Sequence, residues 1–228
     1  MPERTDFSSL DAACIKQIVP FPSITSQPTE GEECQMLEQA LVKYGSPTLA
    51  RLKTANLFNF SFFSPRELQN ELIQCNQALL RKGVRILVLR RHAHSALLYL
   101  YRPEQLSRDL RRRGVPAFMR SLGYPSSDPD VALAVLRRRI RSGDAFPHEI
   151  GLFLGYPLED VAGFIKNHGA NCRYAGCWKV YGNEEAAREL FSEYKKCQSL
   201  YNSLFRQGKT LEQLTVPGGN TVPLGKGE

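Results

Sequence analysis

His148-Glu149 is the most reactive-looking pair in the chain. Pro147 just ahead of it suits the opening of a helix, and the positive end of that helix would favour a neutral imidazole. A neutral imidazole accepts a proton or binds a metal, which makes His148 a candidate general base with Glu149 beside it. A metalloprotease helix needs a second histidine four residues on, and Leu152 stands there. The same two residues equally suit a plain helix start, with Glu149 answering the dipole and His148 hydrogen-bonded locally.

His168, Cys172 and Cys177 form the other group with metal-binding chemistry. Their H-x3-C-x4-C spacing matches no common zinc or iron–sulfur pattern, so neither a metal nor another cofactor is expected. His92 and His94 flank a turn beside Arg90 and Arg91, which makes a positive tip suited to an anion or simply an exposed turn. There is no Walker loop, dinucleotide fingerprint or Gly-x-Ser-x-Gly elbow. An enzyme is therefore not announced, and not excluded either.

The charge is unevenly placed. Residues 81–141 hold 15 Arg and Lys against four acids, whereas the whole chain of 228 residues has a net charge of only +7. Arg111, Arg112, Arg113, Arg137, Arg138, Arg139 and Arg141 are the candidates for contacts with nucleic acid, or else form a solvated basic face. Six cysteines at irregular spacing, with no leader of the secretory type at the N-terminus, point to reduced thiols and a cytoplasmic location. No apolar run is long enough to cross a bilayer, so no membrane partner is expected.

Several elements must position these residues. A polar, proline-broken arm is expected over 1–33, a single α+β domain over 34–206, and a flexible tail over 207–228. Within the domain, a helix over Cys34–Tyr44 should stop at Gly45-Ser46-Pro47. Leu57–Phe62 reads as a strand, and Ser64-Pro65 starts a helix with the stripe Leu68, Leu72, Cys75 and Leu79. Val84–Arg90 and Ala96–Arg102 read as a hairpin, followed by a helical insert over about 104–168. Tyr174–Tyr181 reads as a last strand, and Asn183 caps a final helix striped by Ala187, Leu190, Tyr194, Cys197, Tyr201 and Leu204. The expected fold is α+β: a small, mainly antiparallel sheet of about four strands covered by helices in two layers, plus paired helical hairpins.

The hairpins are visible as a repeat. Leu122-Gly123-Tyr124-Pro125 recurs 32 residues later as Leu154-Gly155-Tyr156-Pro157, with Asp128 and Asp160 at the same offset. The second copy also has the spacing of a helix-turn-helix. Its last helix, however, opens Leu158-Glu159-Asp160, and acids there would face the phosphates on groove entry.

Three stretches resemble the bacterial domain-of-unknown-function family DUF3793. They are Pro47-Thr48-Leu49-Ala50-Arg51-Leu52-Lys53 with Asn56-Leu57-Phe58, then Phe146-Pro147-His148-Glu149-Ile150-Gly151 through Val161, then Trp178-Lys179-Val180-Tyr181-Gly182. The resemblance spans roughly residues 36–205 and implies a cytosolic protein without an established activity. The family pattern has a cysteine just before Pro-Thr-Leu-Ala, where this chain has Gly45-Ser46.

These stretches are expected to converge on one cleft formed by Thr48, Lys53, His148, Glu149, Tyr156, Lys179 and Tyr181. Such a cleft would bind a small anionic ligand or an acidic protein partner, with Lys53 and Lys179 supplying charge and His148 orienting. The leading expectation is a non-enzymatic binding or accessory module. Non-specific nucleic-acid binding and an enzyme with His148 as general base are the alternatives.

Overall fold

The computed structural model describes residues 33–142 and 146–218. The expected arm, apart from Glu33, and the chain beyond 218 lie outside the described residues. Helix α1 (Glu33–Leu49) leads into strand β1 (Ala55–Ser61), helix α2 (Pro65–Leu80) and the hairpin β2 (Arg85–Arg91) and β3 (Ser95–Tyr101). The helical insert follows: α3 (Pro103–Leu110), α4 (Val115–Ser121), α5 (Pro129–Ser142), α6 (Ile150–Phe153) and α7 (Leu158–Lys166). Short strands β4 (Tyr174–Ala175) and β5 (Lys179–Val180) precede helices α8 (Glu184–Arg206) and α9 (Leu211–Leu214).

The fold is α+β, with five strands in two sheets where about four in one sheet were expected. The main sheet has the order β1-β3-β2 and is antiparallel throughout, with Phe58 opposite Leu98 and Leu57 opposite Tyr99. Side chains alternate across a strand, so β3 presents Leu98 and Leu100 to one face and Leu97, Tyr99 and Tyr101 to the other. On the first face the α1 ring of Tyr44 lies 5.4 Å from that of Phe58. On the second face the Tyr99 hydroxyl donates to the Phe153 carbonyl at 2.6 Å. Both faces are covered, against the expected two layers, and Ala96–Tyr101 are accordingly all buried.

The expected stop at Gly45-Ser46-Pro47 does not occur, because α1 continues through Pro47 to Leu49. Gly45 is present for close packing. A Cβ there would run into the Leu100 side chain of β3. Burial of the last turn against the sheet overrides the weak helix propensities of glycine and proline.

The caps behave as their residue types require. Ser64 accepts from the Glu67 amide and Asn183 from the Ala186 amide, each satisfying a donor that the helix leaves open. The α2 stripe Leu68, Leu72, Cys75 and Leu79 is buried, and Gly83 closes that helix at φ +71°. The expected last strand is instead a separate ribbon, β4 and β5, turning at Gly176-Cys177. Gly176 lies so near the Phe191 ring that a Cβ would collide with it.

Residues 207–218 were expected to lie in the tail. They carry α9, whose Leu211 and Leu214 are buried and whose Thr210 and Gln213 form a reciprocal capping box. Arg102 explains how this segment is held. The residue is 2% exposed, and its guanidinium donates to four carbonyls: Thr48 and Leu49 at the end of α1, Lys82, and Val216. Burial, and then the nearby Arg51 charge, push Arg102 down to about 10.

Candidate functional site

The α6–α7 hairpin is the second copy of the repeat. Gly155 takes φ +80° in its turn, as Gly123 takes +82° in the first copy, and this conformation suits glycine. Gly151 lets the two helices approach, since a Cβ would meet Val161 at 2.7 Å. The turn thereby delivers Tyr156 onto Trp178 of the ribbon, with ring centroids 4.3 Å apart. The edge of Trp178 in turn packs on Phe191 of α8 at 4.4 Å.

Asp160 fixes the ribbon to α7. One carboxylate oxygen accepts from the Trp178 indole at 2.8 Å, and the other from the amides of Tyr181 at 2.7 Å and Gly182 at 2.9 Å. The aspartate at the same offset in the first repeat does something different. Asp128 caps α5 through the amides of Asp130 and Val131. Asp160, read from sequence as an acid facing phosphates, is instead a buried strut.

Between hairpin and ribbon lies a cavity of about 350 Å³. Its walls are aromatic and apolar (Tyr156, Phe164, Trp178 and Val161), and His148, Asp160 and Lys179 are its polar residues. The His148 ring lies 5.0 Å from the Phe164 ring, and the Lys179 ammonium 6.0 Å from it. Lys179 Nζ donates to the Gly169 carbonyl at 2.8 Å. An ammonium carries three donors, so this bond leaves capacity for a ligand.

The expected site residues divide. His148, Tyr156 and Lys179 line the cavity. Lys53 is buried behind its wall, 5.1 Å from the Tyr156 ring and 6.0 Å from that of Tyr194. Burial pushes the Lys53 amine down to about 8, partly offset by the Cys177 sulfur nearby. Burial also pushes up Tyr156, Tyr194 and the Cys177 thiol. Tyr181 packs against Gly163, and its hydroxyl donates to the Ala170 carbonyl at 2.8 Å.

Thr48 and Glu149 do not line the cavity. Thr48 is buried and donates from its hydroxyl to Asn56 at 2.7 Å. Glu149 is buried in a triad, accepting from Arg139 at 2.6 Å and the Tyr124 hydroxyl at 3.1 Å. Arg139 is thereby occupied, and so is Arg112, which pairs with Asp109 at 2.7 Å. Arg111, Arg113, Arg137, Arg138 and Arg141 are exposed. Among the described residues, no three His, Cys, Asp or Glu side chains are grouped to hold a metal, and no helix is long and apolar enough to cross a membrane. Among the described residues, Cys75, Cys172, Cys177 and Cys197 form no disulfide.

Sequence reasoning passed over Asp160, Phe164 and Trp178 as lining residues. The available signal was the chain's one tryptophan beside Lys179, together with an acid buried at the third position of a helix.

A family model described as a protein of unknown function, DUF3793, matches residues 41–215, and the chain belongs to that family. Neither a curated protein nor a solved structure matches the chain.

Proposed function

We propose that this DUF3793 protein is a binding module for a small, flat, anionic ligand held in the cavity between the α6–α7 hairpin and the β4–β5 ribbon. The observation that carries this reading is the pairing of His148 and the Lys179 ammonium across Phe164, inside walls made by Tyr156 and Trp178. Aromatic walls favour a planar ligand, and the ammonium favours an anionic group on it. The cavity is within the size range of small-molecule sites. Asp160 is no obstacle to an anion, because three N–H donors already face its carboxylate.

Trp178 makes the test direct, since it is the single tryptophan and lines the cavity. Aromatic carboxylates and phosphates, each matched with its neutral amide or alcohol, are titrated while indole emission is followed. Saturable quenching by anions over neutral partners supports the reading. Failure of every anion to perturb Trp178, or equal response to the neutral partners, would refute it.

A second reading, non-specific nucleic-acid binding, rests on the exposed Arg111, Arg113, Arg137, Arg138 and Arg141. Such binding would be electrostatic and sensitive to salt.

A further inference from the structure

A second cavity, of about 230 Å³, opens on the other side of the main sheet's end, where α3 begins. Arg51, Arg85 and Arg102 all line it, together with Glu104 and Gln105 of the first turn of α3. Three guanidiniums around so small a space repel one another. Among the described residues, none of the three has a carboxylate within ion-pair distance. Glu104, the acid in the lining, is drawn to Arg108 at 3.6 Å. The repulsion is felt inside the fold, since the Arg51 charge, after burial, helps to push Arg102 down, with Tyr201 and Glu104 only partly opposing it.

The remaining groups are also of a kind that meets an anion. Arg102 stands at the N-cap of α3 and offers no side-chain acceptor to the first turn. The Glu104 and Gln105 amides therefore belong to the set that an α-helix leaves open. Arg51 spends one N–H on the Pro217 carbonyl at 3.3 Å, and four of its five donors remain. Gln105 donates from Nε2 to the Arg51 carbonyl at 3.2 Å, while its Oε1 is buried and accepts nothing among the described residues.

We propose that this cavity is a phosphoryl-binding site, held by Arg51 and Arg85 over the first turn of α3, with the buried Arg102 adding its charge. A phosphate oxyanion matches the guanidinium fork and the open amides. The space accommodates inorganic phosphate or a compact ester, and both sources share that chemistry. This site is separate from the aromatic cavity and does not depend on its occupancy.

The test uses the full chain. Calorimetric titrations with inorganic phosphate and glycerol 3-phosphate are run at matched ionic strength, with chloride as the control. Saturable phosphate or phosphate-ester binding is expected. Replacing both Arg51→Gln and Arg85→Gln should weaken it about tenfold or more, the scale of a lost charge-assisted hydrogen bond. Lys179→Met should leave it unchanged. Absence of saturable binding, or undiminished binding in the double variant, would overturn the assignment. Should that variant fail to fold, amide shifts of the wild-type protein decide instead. Phosphate must move the Gly83, Glu104 and Gln105 resonances, and shifts confined to other amides would overturn the site.

Discussion

Tyr156 and Trp178 stack at 4.3 Å with their planes 22° apart, and this contact joins two segments that are otherwise held mainly by Asp160. The ribbon has only two residues in each strand, too few to be stable alone. Its position therefore depends on groups outside it.

Asp160→Ala should consequently release the ribbon while sparing the main sheet. It strips acceptors from three buried or half-buried N–H donors, a cost of about 3 kcal/mol at roughly 1 kcal/mol per bond. Urea unfolding should give that loss, and native emission of Trp178 should shift to the red as the indole becomes wet. Unchanged stability together with unchanged emission would rule out the strut role.

Much of the outline was legible from sequence because it rests on local chemistry. The Ser64 and Asn183 caps, the stripe from Leu68 to Leu79, and the β2–β3 hairpin follow from residue type and period alone. Other features depend on neighbours far along the chain. Gly45 reads as a stop, and only Leu100 on β3 reveals why a glycine is needed inside that helix. Arg102 reads as one more member of a basic stretch, yet it closes the protein by binding carbonyls at Thr48, Leu49, Lys82 and Val216. The candidate site was partly legible for the same reason. His148 and Lys179 flank apolar anchors and reach the cavity, whereas Glu149 was drawn away by Arg139 and Tyr124, partners that spacing does not disclose.

Arg102→Met should uncouple the C-terminal segment. Four carbonyls lose a donor, Thr48, Leu49 and Lys82 keeping a backbone N–H each, and the end of α1 loses the positive charge that complements its dipole. A destabilisation of about 2–3 kcal/mol is expected in chemical unfolding, the scale of hydrogen bonds lost from a charged donor. Hydrogen exchange offers a local check. The Val216 amide, which donates to the Leu49 carbonyl at 3.0 Å, should lose protection before the β3 amides do. Uniform loss across both would point to global unfolding and against a latch.

The exposed arginines make a prediction about salt. Any nucleic-acid binding should show no sequence preference and should fall steeply as salt rises, because only phosphates are neutralised. Arg137→Gln with Arg138→Gln should reduce the salt slope, whereas Lys179→Met should not. A single tight consensus surviving at physiological salt would contradict the electrostatic reading.

Lys53 supplies a pH signature that a single substitution can isolate. Its amine titrates near 8 when folded and near 10.5 when unfolded, burial being the main cause. Between those values the unfolded chain holds a proton that the folded chain has released. Stability should therefore rise with pH across that window, and the gain is lost as pH falls through about 8. At about 1.4 kcal/mol per pH unit the full rise from about 8 to 10.5 would be about 3.5 kcal/mol. The thiols of Cys177 and Cys197, the latter pushed up to about 11, and the phenols of Tyr156 and Tyr194 are all raised by burial and act in the opposite sense, the thiols from about pH 9 and the tyrosines from about pH 10 upward. The Lys53 effect is therefore read as the difference between wild type and a Lys53 variant, in which these groups cancel. Lys53→Met keeps an unbranched chain against Tyr156 and removes the titration. Its stability should lack the rise that Lys53 gives the wild type and should exceed that of the wild type most at pH 7, with the gap closing as pH rises. Urea unfolding of both proteins at intervals of half a pH unit measures this, and parallel curves would show that Lys53 is not the group responsible.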